Sequence, residues 1–334
     1  METFRTVDYH TAGEPFRIVV AGAPELPGSD VADRRARALT DPSAQRARAL
    51  LCSEPRGHAD MYGGFLVPPD DEEAHLGVLF WHKDGFSTAC GHGTIALATW
   101  AVETGVVARA DEVTEVVVDV PSGRVRALVR CEGDRVVEAT FVNVPSWVHS
   151  RGVAVETDRG PVTVDIAFGG AMYAVVPASA VGLDVTPEHY LDLISVGRQI
   201  RDQLNERGAA PHPDDPRLSG VYGTIFTAPG ASGDPLHQRN CTVFADGEVD
   251  RSPCGSGTAA RVALLADSGE LVEDQVLRHE SIVGSLFEAR ILGRLTVHDR
   301  AAVVPAVTGA AYRVGTCEFT VDPGDPMSPG FVLR

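Results

Sequence analysis

Lysine is nearly missing from this sequence: the one example among 334 residues is Lys83, in the polar turn segment WHKDG. Enzymes that use pyridoxal phosphate hold it through a Schiff-base lysine, and a solvated turn is a poor place for one. No apolar run reaches the roughly 18 residues that a membrane-spanning helix needs. We therefore expect neither a pyridoxal enzyme nor an integral membrane protein.

Positive charge is also scarce, with 29 Lys and Arg against 46 Asp and Glu and a formal net charge of −17. Such a balance repels nucleic-acid phosphates and anionic membrane surfaces. The first segment, METFRTVDYH, has no basic stretch followed by an apolar one, so it lacks the features of an export signal. The expectation is a cytoplasmic enzyme whose partner is a small molecule, with no nucleic acid and no membrane.

Cysteine is sparse and has no paired spacing. The 6 cysteines are Cys52, Cys90, Cys131, Cys241, Cys254 and Cys317, and no C-x-x-C pair occurs. A disulfide framework, a zinc site and a dithiol redox motif are therefore not expected. We predict reduced thiols, no metal and no cofactor.

Two segments of the chain repeat each other. Cys90 opens CGHGTIALATW and Cys254 opens CGSGTAARVAL, and both contain C-G-x-G-T-x-A. A second pair, VDYHTAGEPFRIVV from Val7 and VDIAFGGAMYAVV from Val164, has nearly the same offset and shares a glycine and an aromatic residue. Two matches in the same order indicate a duplicated domain in which each half contributes one cysteine.

The local patterns predict α/β halves. Both cysteine motifs run from a glycine-rich loop into an apolar helix, over 94–104 before Gly105 and over 258–268 before Gly269. A further helix begins at Thr186-Pro187, and surface loops are expected at 208–220 and 228–235. One face of that helix is predicted to hold Leu191, Ile194, Ile200 and Leu204. Strands are predicted at 113–120, 124–131, 136–144, 161–168 and 174–176.

A cysteine at a helix start suits carbon-acid chemistry. Free backbone N–H groups there bind anions, and the helix dipole favours a thiolate. Two such ends facing each other would hold a carboxylate and place its α-carbon between the sulfurs of Cys90 and Cys254. One sulfur would remove the α-proton while the other protonates the opposite face, and the N–H groups would stabilise the developing charge.

Other cysteine chemistries fit the motifs less well. The phosphatase pattern C-x5-R fails, because Arg261 lies one place too far from Cys254 and Ala96 stands in the matching place after Cys90. A Cys–His nucleophile needs a base hydrogen-bonded to the thiol, and we expect the His92 side chain not to reach back to Cys90. Metal binding by these two residues lacks further ligands at useful spacing.

Four motifs together resemble the proline racemase superfamily: HTAGEP (10–15), EPRGHADMYGG (54–64), ACGHGT (89–94) and DRSPCGSGT (250–258). That superfamily contains proline racemases, hydroxyproline 2-epimerases and trans-3-hydroxy-L-proline dehydratases. The resemblance, over residues 6–331, implies an α/β (α+β) fold like diaminopimelate epimerase, with two pseudo-symmetric domains that wrap strands around a central helix. It implies a first domain of 1–150 plus 312–334 carrying Cys90, a second of 151–311 carrying Cys254, and a possible homodimer.

The resemblance also implies roles for individual residues. Cys90 and Cys254 match the two acid/base thiols, and Asp250 matches the carboxylate that holds the ring nitrogen of the substrate. Tyr62 and Phe244 match aromatic positions of the pocket. The backbone clamp for the substrate carboxylate is matched by Gly91, His92, Gly255 and Ser256.

The substrate is harder to predict than the reaction. The dehydratases generally have threonine in place of Cys254, so two thiols favour inversion of the α-carbon. The segments VFADGEVDRSP and SIVGSLF resemble the dehydratases more closely. Aromatic residues at positions 62 and 244 are typical of racemases and dehydratases. We rank proline racemase first, 4-hydroxyproline 2-epimerase second and trans-3-hydroxy-L-proline dehydratase third. A non-catalytic carboxylate-binding protein is the alternative from another class.

Overall fold

A computed structural model describes residues 2–333. The α-helices in that range are α1 (Val31–Ala38), α2 (Pro42–Cys52), α3 (Gly91–Glu103), α4 (Tyr190–Glu206) and α5 (Gly255–Ser268). The strands are β1 (Glu2–Thr11), β2 (Glu14–Ala21), β3 (Gly63–Val67), β4 (Leu76–His82), β5 (Gly85–Phe86), β6 (Val113–Val120), β7 (Gly123–Glu132), β8 (Arg135–Val142), β9 (Ser146–Thr157), β10 (Gly160–Phe168), β11 (Met172–Pro177), β12 (Val221–Pro229), β13 (His237–Phe244), β14 (Glu248–Val249), β15 (Leu277–Ser281), β16 (Leu286–Val297), β17 (Arg300–Gly309) and β18 (Ala311–Val321). Among these residues, no helix combines the length and apolar character that a membrane crossing requires.

The chain forms two compact units. Residues up to Ala139 and the segment from Ala310 form the first, and Thr140–Gly309 forms the second. The sequence placed these divisions after residues 150 and 311. The first division falls earlier because β9 pairs with β10, with Trp147 opposite Phe168. The start of β9 is therefore held by the second unit.

Both units have the same strand topology. In the first, β1 and β2 form an antiparallel hairpin, β2 runs parallel to β3, and β3 pairs antiparallel with β4. After α3, β6 runs parallel to β4 and antiparallel to β7. In the second unit the same pairings connect β10, β11, β12 and β13, and then β15 and β16 follow α5. The repeated topology confirms the pseudo-symmetric halves that the sequence predicted.

Each unit wraps its strands around one buried helix. Helix α3 is buried from Gly91 to Val102 and contacts β1, β2, β6, β7 and β18. Helix α5 is buried over most of its length and contacts β9, β10, β11, β16 and β17. Because apolar side chains point outward all around these helices, only a helix enclosed by strands can bury them. The fold class is α+β, with a central helix in each unit.

The two central helices begin earlier than predicted. They start at Gly91 and Gly255 rather than at residues 94 and 258, because the preceding cysteine serves as N-cap in each case. The predicted end of α5 is confirmed, since Gly269 adopts a left-handed φ of 79° at its C-cap. Each cysteine is thereby fixed at the first turn of a rigid, buried helix.

Helix α4 corrects one detail of the prediction. A short 3-10 turn over Pro187–His189 precedes it, and Ile194, Ile200 and Leu204 lie on its buried face. Leu191, predicted on that face, is 73% exposed. It precedes Ile200 by about 2.5 helical turns and therefore points to the opposite side.

Candidate active site

Cys90 is held at the start of α3 by its own helix. Its backbone is extended, with φ −155°, and its Sγ accepts the backbone N–H of Gly93 at 3.2 Å. The residue is only 4% exposed. The sulfur thus lies beside the N–H groups at the positive end of the helix dipole, as the motif predicted.

His92 does reach back to Cys90, and the expectation that it would not is wrong. Both of its ring nitrogens lie 3.5 Å from Cys90 Sγ. His92 is the second residue of α3, and the edge-on rings of Phe16 and Tyr62 flank its imidazole at centroid distances of 6.0 and 4.9 Å. The first thiol therefore has an imidazole as a neighbour as well as backbone N–H groups.

Tyr62 belongs to the surroundings of the first thiol. Its side chain is buried, its hydroxyl bonds the hydroxyl of Ser87, and its ring lies edge-on to His92. The structure therefore brings Tyr62, Cys90, Gly91 and His92 together within the first unit.

Cys254 occupies the equivalent place at the start of α5, with a strained backbone. Its Sγ accepts the backbone N–H of Gly257 at 3.3 Å, and its φ is 61°. A left-handed φ at a residue other than glycine costs on the order of 1–3 kcal/mol and is often found at functional sites. The surrounding segment must therefore hold Cys254 firmly.

Asp250 provides that hold through Ser252. Its Oδ1 accepts the backbone N–H of Ser252 at 2.8 Å and the Ser252 hydroxyl at 2.6 Å. Ser252 Oγ in turn accepts the backbone N–H of Cys254 at 3.0 Å. The D-R-S-P-C segment is thus a hydrogen-bonded turn. It fixes both Asp250, the carboxylate predicted to bind the substrate, and the second thiol.

The ionisation of Cys254 differs from the expectation drawn from its helix. Burial raises the pKa of its thiol well above the usual range, and the negative charge of Asp250 raises it further. The N–H of Gly257 and the Tyr173 hydroxyl act in the opposite direction but do not outweigh burial. Burial and Asp250 likewise raise the pKa of Cys241 to about 12. At neutral pH, Cys254 is a protonated thiol, the form of an acid rather than a base.

A pair of buried hydroxyl groups adjoins Cys254. Tyr173 Oη lies 2.7 Å from Ser256 Oγ, and the two oxygens lie 3.8 and 3.9 Å from Cys254 Sγ. Ser256 was predicted only as part of the backbone clamp, and Tyr173 was not predicted. A signal was present, because the aromatic residue shared by the repeated segments is Phe16 in the first and Tyr173 in the second.

Phe244 lies in the same group of aromatic rings. It is 3% exposed and stacks on Tyr222, with centroids 5.6 Å apart, and Tyr222 lies edge-on to Tyr173 at 5.9 Å. The second unit therefore gathers Phe244, Asp250, Cys254, Gly255 and Ser256 in one region.

The repeated glycines keep both sulfurs close to their helices. A Cβ at Gly93 would lie 2.7 Å from Cys90 Sγ, and a Cβ at Gly257 would lie 2.9 Å from Cys254 Sγ. Both distances are too short for any side chain. Each unit therefore has a buried thiol beside helix-start N–H groups. The N–H groups can bind a carboxylate, and the thiol can move a proton at the carbon next to it.

Comparison with known proteins gives consistent matches over the whole chain. The sequence profile of the proline racemase family matches residues 6–332. A trans-3-hydroxy-L-proline dehydratase of Azospirillum brasilense is 45% identical over 331 residues, covering 98% of each chain. A 3-hydroxyproline 2-epimerase of Burkholderia multivorans has the same identity and coverage. The solved structure of a hydroxyproline epimerase from Agrobacterium vitis, with bound trans-4-hydroxy-L-proline, has a TM-score of 0.93 at 32% identity, covering 99% of this chain and 96% of that one.

Proposed function

Because the chain belongs to the proline racemase family and is an isomerase-type enzyme, we propose that it inverts the α-carbon of a 3-hydroxyproline. In this proposal Cys90 and Cys254 are the acid and the base. The observation that carries it is a buried thiol at the N-cap of the central helix in both units. Inversion needs one proton-transfer group for each face of the α-carbon, and a duplicated thiol supplies two.

The names of the relatives support an order of substrates that differs from the one predicted from the sequence. Sequence reasoning ranked proline first, and that ranking stays a prediction. Two relatives at 45% identity carry names that specify 3-hydroxyproline, whereas the structure that binds trans-4-hydroxy-L-proline is 32% identical. We therefore place a 3-hydroxylated ring ahead of proline and 4-hydroxyproline.

The proposed reaction follows from the groups in each unit. The helix-start N–H groups of Gly91, His92, Gly255 and Ser256 bind the substrate carboxylate, and Asp250 binds the ring ammonium. One sulfur, as thiolate, takes the α-proton, and the electron pair of the C–H bond moves into the carboxylate, where the N–H groups stabilise it. The other sulfur, as thiol, protonates the opposite face. The two sulfurs have then exchanged protonation states, and no metal or organic cofactor enters any step.

The protonation state of Cys254 suits the role of the acid in this scheme. Burial and Asp250 keep it protonated at neutral pH, so the unliganded enzyme has a proton ready on that sulfur. A bound ring ammonium would neutralise Asp250 and remove its part of the upward shift of the pKa. The substrate itself would thus ease the later ionisation of Cys254.

A dehydratase is the second candidate, because a relative at 45% identity has that name. Elimination of the 3-hydroxyl group needs one base at the α-carbon and no protonation of the opposite face. The two reactions give different products from trans-3-hydroxy-L-proline: cis-3-hydroxy-D-proline by inversion, or a cyclic imine after loss of water.

The experiment incubates reduced enzyme separately with trans-3-hydroxy-L-proline, L-proline and trans-4-hydroxy-L-proline, and follows polarimetry and proton NMR. We expect the 3-hydroxy substrate to turn over fastest and to give its 2-epimer. Loss of the C3 carbinol signal would establish the dehydratase instead, and faster turnover of another ring would reverse the order of substrates. No conversion of any of the three would contradict the proposed inversion and favour the non-catalytic carboxylate-binding alternative.

A further inference from the structure

The two thiols have different neighbours at equivalent positions of the repeat. Phe16 on β2 and Tyr173 on β11 are the aromatic residues that the repeated segments share, and both strands run parallel to the next strand of their unit. Each ring contacts the residue that lies two places after the cysteine. Phe16 lies edge-on to His92, whereas Tyr173 bonds Ser256 through its hydroxyl.

These neighbours give each sulfur a different partner. The ring nitrogens of His92 lie 3.5 Å from Cys90 Sγ. In the second unit the corresponding groups near the sulfur are hydroxyls, with Tyr173 Oη 3.8 Å from Cys254 Sγ. Tyr173 and Ser256 are 1% and 2% exposed, so water does not compete readily for these contacts.

We propose that Tyr173 is a positioning residue for Cys254, and that its hydroxyl, anchored on Ser256, donates to Sγ when that sulfur becomes a thiolate. This role corresponds to that of the His92 imidazole beside Cys90. It deepens the proposed function, because it explains how the buried sulfur can serve as base for one of the two epimers. Phe16, which has no hydroxyl, cannot do the same in the first unit.

The charges around Cys254 make such a donor necessary. Burial and the carboxylate of Asp250 both oppose the thiolate, and the N–H of Gly257 and the Tyr173 hydroxyl favour it. Burial also raises the pKa of Tyr173 well above its usual value, so this hydroxyl keeps its proton. Tyr222, whose ring lies edge-on to Tyr173, also raises the pKa of Tyr173.

The experiment measures alkylation of each cysteine by iodoacetamide between pH 7 and 10, read by peptide mass spectrometry without any substrate. Alkylation follows the thiolate, so its rate reports ionisation. In Tyr173→Phe we expect Cys254 to react about tenfold more slowly at a given pH, because the thiolate loses one hydrogen bond to a charged group. Cys90 in the same sample is the internal standard, and its alkylation rate should stay within about twofold of the wild-type rate. In the matched control Tyr222→Phe, the alkylation rate of Cys254 should also stay within about twofold of the wild-type rate.

A purely structural role for Tyr173 predicts another pattern. An unchanged rate at Cys254, or an equal loss at both cysteines, would overturn the proposal. Should Tyr173→Phe fail to fold, 3,5-difluorotyrosine at this position keeps the shape and makes a stronger donor. Cys254 must then ionise at lower pH than in the unmodified protein, and an unchanged pH dependence would also reject the proposal. Because no substrate is present, the outcome is independent of which ring the enzyme turns over.

Discussion

At the scale of single residues, Asp250 makes two opposite contributions that one substitution can separate. Its carboxylate is buried, accepts from Ser252 and raises the pKa of Cys254. In the proposed function it also binds the ring ammonium. An asparagine can still accept from Ser252 through its amide oxygen, so the turn should survive while the charge is lost.

Asp250→Asn should therefore weaken catalysis strongly. Losing a buried, charge-assisted hydrogen bond to the substrate costs roughly 2–4 kcal/mol, or about 30- to 1000-fold in kcat/KM. The measurement is steady-state kinetics with the substrate that the wild type prefers. The control is Asp246→Asn, four residues before Asp250, which breaks an ion pair to Arg198 of α4 and should change kcat/KM less than about threefold. An Asp250→Asn enzyme within threefold of wild type would make this residue structural.

The same substitution should make Cys254 more reactive toward alkylation. Asp250 raises the pKa of Cys254, so removing its charge lowers that pKa and increases the thiolate fraction at every pH below it. Iodoacetamide should then label Cys254 faster in Asp250→Asn than in the wild type, the reverse of the change expected for Tyr173→Phe. A slower reaction would show that Asp250 stabilises the thiolate through the turn rather than opposing it by charge.

The placements that the sequence predicted and the structure confirms are those of the residues that the motif itself marks. Cys90 and Cys254 stand out because both copies of the repeat retain them, and backbone geometry then places them at helix starts. The contact between His92 and Cys90 was not predictable, because it depends on a side-chain rotamer and on packing by Phe16 of β2 and by Tyr62, which directly precedes β3. Tyr173 was missed because the repeat marks an aromatic residue at this position, Phe16 in the first copy, but does not mark the hydroxyl that only the second copy has.

At the scale of elements, the helix starts depend on glycine. A methyl group at Gly93 would meet the Phe16 ring at 2.5 Å and Cys90 Sγ at 2.7 Å, and one at Gly257 would meet both Cys254 Sγ and Ile225 at 2.9 Å. We expect Gly93→Ala and Gly257→Ala each to displace the sulfur and to lower kcat by at least about tenfold, since misplacement of a reacting group by even 1 Å is costly. Circular dichroism should show both variants folded.

The matched control for these variants is Gly269→Ala at the end of α5. Its φ of 79° makes a side chain strained, yet no atom lies within 4 Å of the new Cβ. This variant should lose about 1–2 kcal/mol of unfolding free energy in urea but keep its kcat. If Gly257→Ala shows the same pattern, lower stability with full activity, then the close approach to the sulfur has no role in catalysis.

Elements with strong apolar or turn signals were predictable, and those with weak signals were not. Strand β6 has the predicted bounds, Val113–Val120, because β-branched residues fill it between clear turns. Helices α1 and α2 were not predicted, although Asp30 and Asp41 are their N-caps. Many arginines and alanines lie in both, so their apolar periodicity is weak and tertiary packing completes them.

At the scale of the whole molecule, the absence of suitable lysines and metal motifs leads to a prediction about cofactors. Activity should survive dialysis against EDTA and treatment with borohydride, because the proposed steps use only thiols, N–H groups and one carboxylate. The measurement is kcat after each treatment, with circular dichroism to show that the protein is folded. A folded protein that loses activity under either treatment contradicts a cofactor-free mechanism.

The duplication was the most informative signal in the sequence for the whole molecule. It did not predict where one unit ends and the other begins. Two short matches were enough to predict equivalent units, which the repeated strand pairings confirm. The division near residue 140 was not predictable, because the strand that crosses it and the strand that follows have similar compositions. The pairings of β9 with β10 and with β17 assign residues 146–150 to the second unit.

The duplication also makes a prediction about stereochemistry. If the two sulfurs lie on opposite faces of the α-carbon, each removes the proton from one epimer only. Replacing one cysteine with alanine should abolish inversion, because the second face can no longer be protonated. The remaining thiolate can still exchange the α-hydrogen of the one epimer that points at it. Cys90→Ala and Cys254→Ala should therefore incorporate deuterium from D2O into opposite epimers, each without inverting it.

Proton NMR of the two C2 epimers, incubated separately with each variant in D2O, measures this exchange through loss of the α-proton signal. The double variant, with both cysteines replaced, is the control and should exchange neither epimer. Exchange by Cys90→Ala should be slow at neutral pH, because the sulfur that remains there, Cys254, has a raised pKa and is mostly protonated. Raising the pH should speed the exchange by Cys90→Ala. If a variant with one cysteine replaced still inverts its substrate at a substantial rate, then one sulfur serves both faces. The presence of a cysteine in both copies of the repeat would then have another cause.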